Sequence, residues 1–179
     1  MIHPIVITGD PVLHSPADRV TEFDSALSDL VEDMVETTIA APGVGLAAPQ
    51  IGIGKQIFVW VYGDQDEAPP RGVAINPQLF IEPIQPDTPT AADREGCLSF
   101  PDEKFALLRS PRAILRAQDV TGRAYELEAS GWFARILQHE YDHLQGTLYV
   151  DRLTGSDAET ASRITTERGW GRPGLSWMP

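Results

Sequence analysis

Apolar residues recur at helical spacing from about Asp24 to Ala41, where Leu27, Leu30, Val31, Met34, Val35 and Thr38 are set between acidic and polar positions. This predicts an amphipathic helix, with Thr21 and Asp24 as available N-caps and Pro42-Gly43 ending it in a glycine-rich loop. The period then changes. Gln56 to Tyr62 (QIFVWVY) is rich in β-branched and aromatic residues, and shorter extended stretches follow at Gly72 to Ile75, Leu79 to Ile84, Ala113 to Gln118 and Arg123 to Glu128. Two polar, proline-bearing stretches, Gly63 to Arg71 and Gln85 to Arg94, read as variable surface loops without chemistry of their own. A second helix is predicted from about Gly131 to Gln145, stopped by Gly146, and a third from Ser156 to near Gly169. Helix, then strands, then helix predicts an α+β fold with antiparallel or mixed β-sheets.

At 179 residues and 42% hydrophobic content, the chain suits one domain spanning 1–179, with a C-terminal helix and an irregular tail from about residue 151. The formal charge of −12 argues against direct nucleic-acid binding, which depends on neutralising phosphates. The N-terminus has no basic start followed by a long apolar run, and no stretch has the length of a membrane span, so a soluble, cytoplasmic protein is expected. A single cysteine, Cys97, excludes an internal disulfide and leaves a buried small side chain, a nucleophile or a metal ligand.

The chemistry concentrates in the predicted second helix. Two of the four histidines, His139 and His143, flank Glu140 in the order H-E-x-x-H. Residues four apart share a helix face, so both imidazoles can reach one cation. Glu140, about 100° round from His139, can reach a water activated there. Trp132 and Ile136 continue the histidine stripe, which therefore points inward, where an unpaired imidazole would need a partner.

A catalytic divalent metal usually takes three protein ligands and keeps one position open. The extended zinc-protease pattern requires a histidine where this chain has Tyr149. A downstream glutamate, Glu159 or Glu167, is a second source, although Glu159 lies three residues after Ser156 and forms a capping box more simply. Cys97, in Glu95-Gly96-Cys97-Leu98-Ser99, is a third, since a thiolate binds zinc or ferrous iron strongly.

Gly43-Val44-Gly45-Leu46-Ala47-Ala48 satisfies the dinucleotide fingerprint G-x-G-x-x-A in form only: a helix precedes it, and Pro49, Gly52 and Gly54 would break a following one. Its small residues could let a substrate backbone lie close while Gln50 donates to developing negative charge; a tight packed turn explains the segment equally well.

In chain order, GVGLAAPQIG (Gly43 to Gly52), EGCLS (Glu95 to Ser99) and QHEYDHLQG (Gln138 to Gly146) resemble the three motifs of bacterial peptide deformylases, and the likeness extends from about Ile5 to Leu153. The resemblance implies that the H-E-x-x-H helix is central to the fold. It implies one divalent ion per chain held by Cys97, His139 and His143, with Fe²⁺ the native metal and Zn²⁺, Ni²⁺ or Co²⁺ able to replace it. The substrate it implies is an N-formylmethionyl polypeptide, with formate released.

By the same resemblance Glu140 serves as general base and then general acid, and Gln50 and the Leu98 backbone N–H share the charge of the oxyanion. Gly43, Val44, Gly45 and Trp132 are placed at the substrate, Val44 and Trp132 near the methionine side chain. Arg135 departs from the family's usual aliphatic residue; its stem is expected along the pocket wall with its charge toward solvent or on the peptide. The tail carries Trp170 and Trp177 among glycines and prolines and is expected to pack onto the body, with transient ribosome association as a further role.

Overall fold

The computed structural model describes residues 1–63 and 70–179, so the middle of the predicted Gly63 to Arg71 loop lies outside the described residues. The predicted first helix is α1 (Ser25–Ala40), capped by the Asp24 carboxylate, which accepts the Leu27 N–H at 2.9 Å. A five-stranded antiparallel sheet follows, in the order β2 (Gly45–Ala47), β3 (Ile57–Val61), β4 (Arg71–Ile81), β7 (Arg112–Gln118), β8 (Ala124–Ser130). The fold is α+β, as expected.

The apolar run of β3 is explained by burial on both faces. Successive strand residues point to opposite sides. Ile57 and Val59 join the cluster of Leu27, Val31, Met34 and Val35 from α1, while Phe58 and Trp60 join Phe133, Ala134 and Leu137 of α2 (Gly131–Leu144). The two helices therefore cover opposite faces of the sheet. α2 lies across β2 and β7, which puts the H-E-x-x-H segment at the edge where β2 ends.

Several expectations need correction. Gly72 to Ile75 and Leu79 to Ile84 are one strand, β4, which stops at Ile81. Pro77 has no N–H to give the ladder, and the chain absorbs it in an irregularity between Ile75 and Gln78. Asn76 adopts φ +50° there, and its side chain accepts from Val20 N and donates to Val20 O and Gln118 Oε1 at 2.8 to 2.9 Å. Where no strand was expected, β5 (Arg94–Cys97) and β6 (Phe100–Ala106) form a hairpin, and β2 forms part of the glycine-rich loop.

The Ser156–Glu159 capping box is absent. Helix α3 (Gly155–Glu167) begins one residue before Ser156, so that residue already has helical backbone and cannot cap. Gly146 does close α2, at φ +72°, and a Cβ there would fall 2.7 Å from the Ser15 backbone.

The tail docks as expected. Trp170 packs edge-on to Phe100 with ring centroids 4.9 Å apart. Strand β9 (Ser176–Trp177) pairs antiparallel with β1 (Ile5–Val6), joining the two ends of the chain. Among the described residues, no helix is long and apolar enough to cross a membrane.

Candidate metal centre and active site

Cys97 ends β5, and His139 and His143 lie one turn apart on α2. One ligand atom from each comes within 4.8 Å of the others, and all three residues are buried. Cys97 Sγ is 3.3 Å from His143 Nε2. The Nδ1 of His139 faces Glu95 Oε1 at 2.9 Å, and donation to that carboxylate would leave the Nε2 lone pair free for a cation. Sulfur, nitrogen and nitrogen converging in a buried pocket suit a divalent transition metal better than Mg²⁺ or Ca²⁺, which prefer oxygen. Two buried polar atoms, Glu140 Oε2 and His143 Nδ1, have no protein hydrogen-bond partner among the described residues. For Glu140 this fits an activated water as the missing partner.

Glu140 is placed by packing. It is 4% exposed and lies against Gly45 of β2, where a Cβ would overlap the Glu140 carboxylate. Burial pushes its pKa up to about 7, and the nearby negative charges of Glu95 and Asp142 act in the same direction. A carboxyl near neutrality can both accept and return a proton at ordinary pH.

Gln50 sits in a turn of 3-10 helix, Ala48–Ile51, and is buried. Its Oε1 accepts the Ala47 N–H at 2.8 Å, which turns Nε2 toward Ser99 Oγ at 3.4 Å and Cys97 Sγ at 3.6 Å. The glycine-rich segment thus delivers a donor to the cluster, and it runs from α1 into β2 and a 3-10 turn rather than from a strand into a helix as a dinucleotide loop does.

A cleft of about 670 Å³ opens over these groups, lined by Gly43, Val44, Gly45, Gln50, Cys97, Leu98, Trp132, Arg135, His139 and Glu140, among others. Val44 and Trp132 are partly exposed at its walls, whereas His143 is fully buried behind them. The cleft thus brings together the residues of the three motifs, Gly43, Val44, Gly45 and Gln50, Cys97 and Leu98, and His139 and Glu140, with Trp132 beside them.

The competing third ligands are elsewhere. Tyr149 is buried as a packing residue, its ring centroid 5.8 Å from that of His139 and its hydroxyl donating to Glu103 O. Glu167 pairs with Arg163 at 3.0 Å on the exposed face of α3, and Glu159 is exposed.

Arg135 lines the cleft as expected, but its charge does not turn to solvent. Its guanidinium turns inward, donating to Glu95 Oε2 at 2.9 Å, Leu107 O at 2.7 Å and Asp93 Oδ1 at 3.1 Å. A delocalised cation beside two carboxylates is better satisfied there than at the rim of an apolar pocket. Through Asp93, the loop before β5, expected to carry no chemistry, gains a structural task.

Arg135 is one member of an alternating ionic chain that sequence reading missed. Arg152 pairs with Asp142, Asp142 with Arg109, Arg109 with Glu95, Glu95 with Arg135 and Arg135 with Asp93. Burial alone would raise the Glu95 pKa. Hydrogen bonds from His139 and Arg109 outweigh burial and hold the carboxyl well below the ordinary carboxylate range. The partners come from separate elements, and only the position of Glu95 beside Gly96-Cys97 hinted at its role.

Fold and site together define a metal-dependent hydrolase in which a cysteine joins the two histidines of an H-E-x-x-H helix. The polypeptide deformylase family model matches residues 2–159, and the chain belongs to that family. It is 47% identical over 190 residues to the peptide deformylase of Tropheryma whipplei (strain TW08/27), covering 99% of this chain and 94% of that protein. The Rhodococcus opacus (strain B4) peptide deformylase is 46% identical, with 99% and 93% covered. Among solved structures, the Thermus thermophilus peptide deformylase superposes with a TM-score of 0.79 at 37% identity, covering 93% of this chain and 94% of that one. The Synechococcus elongatus enzyme, solved in complex with actinonin, gives 0.78 at 33% identity, with 96% and 91% covered. The reaction of such metalloenzymes is removal of the N-formyl group from nascent polypeptides.

Proposed function

We propose that this chain removes the formyl group from N-formylmethionyl polypeptides at a single centre held by Cys97, His139 and His143, with Fe²⁺ as the resident ion and Zn²⁺, Ni²⁺ or Co²⁺ able to take its place. When bound, the ion supplies Lewis acidity, polarising the formyl carbonyl and acidifying a water. Glu140 takes the proton of the attacking water and returns it to the nitrogen of the leaving amine. The Gln50 amide and the Leu98 backbone N–H donate to the oxygen on which negative charge develops. Gly43, Val44 and Gly45 line the peptide's path, and Val44 with Trp132 flanks the methionine side chain, an apolar setting that suits an unbranched thioether.

The observation that carries this reading is the meeting of Cys97 with both histidines while Glu140 keeps a buried, unpartnered oxygen in the same cleft. A cysteine hydrolase is less favoured, because Cys97 Sγ faces His143 Nε2 and the Gln50 amide as one member of a three-donor cluster. The whole chain, tail included, acts as one deformylase domain in the cytoplasm, its two ends joined by β1 and β9. It meets its substrate on or near the ribosome.

Anaerobic purification with metal quantification and a formate-release assay on the same sample tests this reading. One ion per chain and turnover proportional to occupancy are expected. Full turnover without metal, or cleavage of internal peptide bonds without formate release, would contradict it.

A further inference from the structure

Leu98 and Ser99 are the two turn residues of the β5–β6 hairpin, between the paired Cys97 and Phe100. The ladder of this hairpin is irregular between Gly96 and Cys97, so strand pairing alone does not set the turn. The chain ends fix it from outside. Thr8 N donates to Ser99 O at 2.9 Å, and the indole Nε1 of Trp177 donates to Leu98 O at 2.9 Å. Trp177 is itself held by its pairing with Ile5 and by packing against the core cluster that contains Ile5 and Leu46. The Ile7 N–H extends that pairing by donating to Leu175 O.

We propose that Trp177 is a positioning residue for the oxyanion site: by holding the Leu98 carbonyl, the C-terminal strand sets the direction of the Leu98 backbone N–H. This inference rests on the reading of that N–H as a donor to the oxyanion. The two groups belong to adjacent peptide planes that turn about the two rotatable bonds of one Cα; with Cys97 held by its pairing to Phe100 on one side, fixing the Leu98 carbonyl on the other narrows the rotations left to the plane that carries the N–H. A donor is effective only when aimed at the place where charge develops, and misaiming it reduces turnover more than it weakens ground-state binding. The tail also contacts this hairpin through Trp170 on Phe100 and through Arg168 on Glu103 at 2.7 Å and Asp102 at 3.4 Å, so the C-terminal segment braces the hairpin that bears Cys97.

The test is a double-substitution cycle on the full-length, metal-loaded enzyme with N-formyl-Met-Ala as substrate. One change removes the indole donor, by W177F or by 3-benzothienylalanine at 177, which keeps the bicyclic shape and deletes the N–H. The other replaces the Leu98 amide N–H by an ester oxygen through α-hydroxy acid incorporation. Loss of the indole donor is expected to lower kcat by about 3- to 10-fold with KM and metal content unchanged, a fraction of what a whole donor contributes. The ester is expected to lower kcat further, and the doubly altered enzyme to be no slower than the ester alone. Wild-type turnover without the indole donor, or losses that multiply in the double variant, would overturn the role of Trp177 while leaving a slow ester to support Leu98. An ester that turns over like the wild type would remove the Leu98 assignment and the Trp177 proposal with it.

Discussion

Glu95 Oε1 lies 2.9 Å from His139 Nδ1, and the same carboxylate receives the guanidinium groups of Arg109 and Arg135. One buried acid thus orients a histidine of the candidate metal centre and anchors two cations. Glu95→Gln is expected to weaken metal affinity by about 10- to 100-fold, as loss of such orienting partners does. It should also destabilise the fold by about 3 kcal/mol at neutral pH by leaving buried cations short of a partner. Because the folded-state pKa of Glu95 lies below the unfolded value, its stabilisation is present above the ordinary value of 4.5 and is lost as pH falls through the depressed folded value. Urea midpoints for wild type and variant should therefore differ most near neutrality and converge in acid. A gap that widens in acid would contradict this account.

Gly45 and Glu140 are in contact with no room for a side chain between them. Gly45→Ala should displace the Glu140 carboxylate and lower kcat at least about 10-fold, since small misplacements of a reacting group are costly. Metal content should remain at the wild-type level. Wild-type turnover in this variant would show that Glu140 tolerates displacement.

Gln50 has its amide oriented by the Ala47 N–H. If Nε2 donates to the oxyanion, Gln50→Ala should cut kcat by about 100- to 1000-fold, as removal of one such donor does elsewhere. KM should change little. Steady-state kinetics with N-formylmethionyl peptides would decide, and a change confined to KM would assign Gln50 to substrate binding instead.

The H-E-x-x-H helix could be read directly because both its meaning and its period are local: His139, Glu140 and His143 lie within two turns of one element. Spacing alone does not choose the third ligand: it leaves Cys97 and, more weakly, Glu167 open, and only the family likeness singles out Cys97. Arg135 was misread for a related reason. Its partners Asp93, Glu95 and Leu107 come from separate parts of the chain, and no local pattern shows that they converge. The strands β2 and β5 were missed because glycines and polar residues occupy them, so neither alternation nor β-branched content marks them. Pro77 divided β4 on paper, whereas in the fold a bulge accommodates it.

Arg135→Met should lower stability by about 1–3 kcal/mol, less than leaving a buried charge with no partner would cost, because Glu95 retains Arg109 and His139. KM should be unaffected. Unchanged stability with a raised KM would instead place the guanidinium on the substrate.

In the proposed reaction Glu140 moves the proton at a centre held by Cys97, His139 and His143. The most direct measurement is formate release from an N-formylmethionyl peptide by Glu140→Ala, with the metal quantified in the same preparation. Metal retained at the wild-type stoichiometry with turnover abolished is the expected result. Retained turnover in that variant would contradict the account.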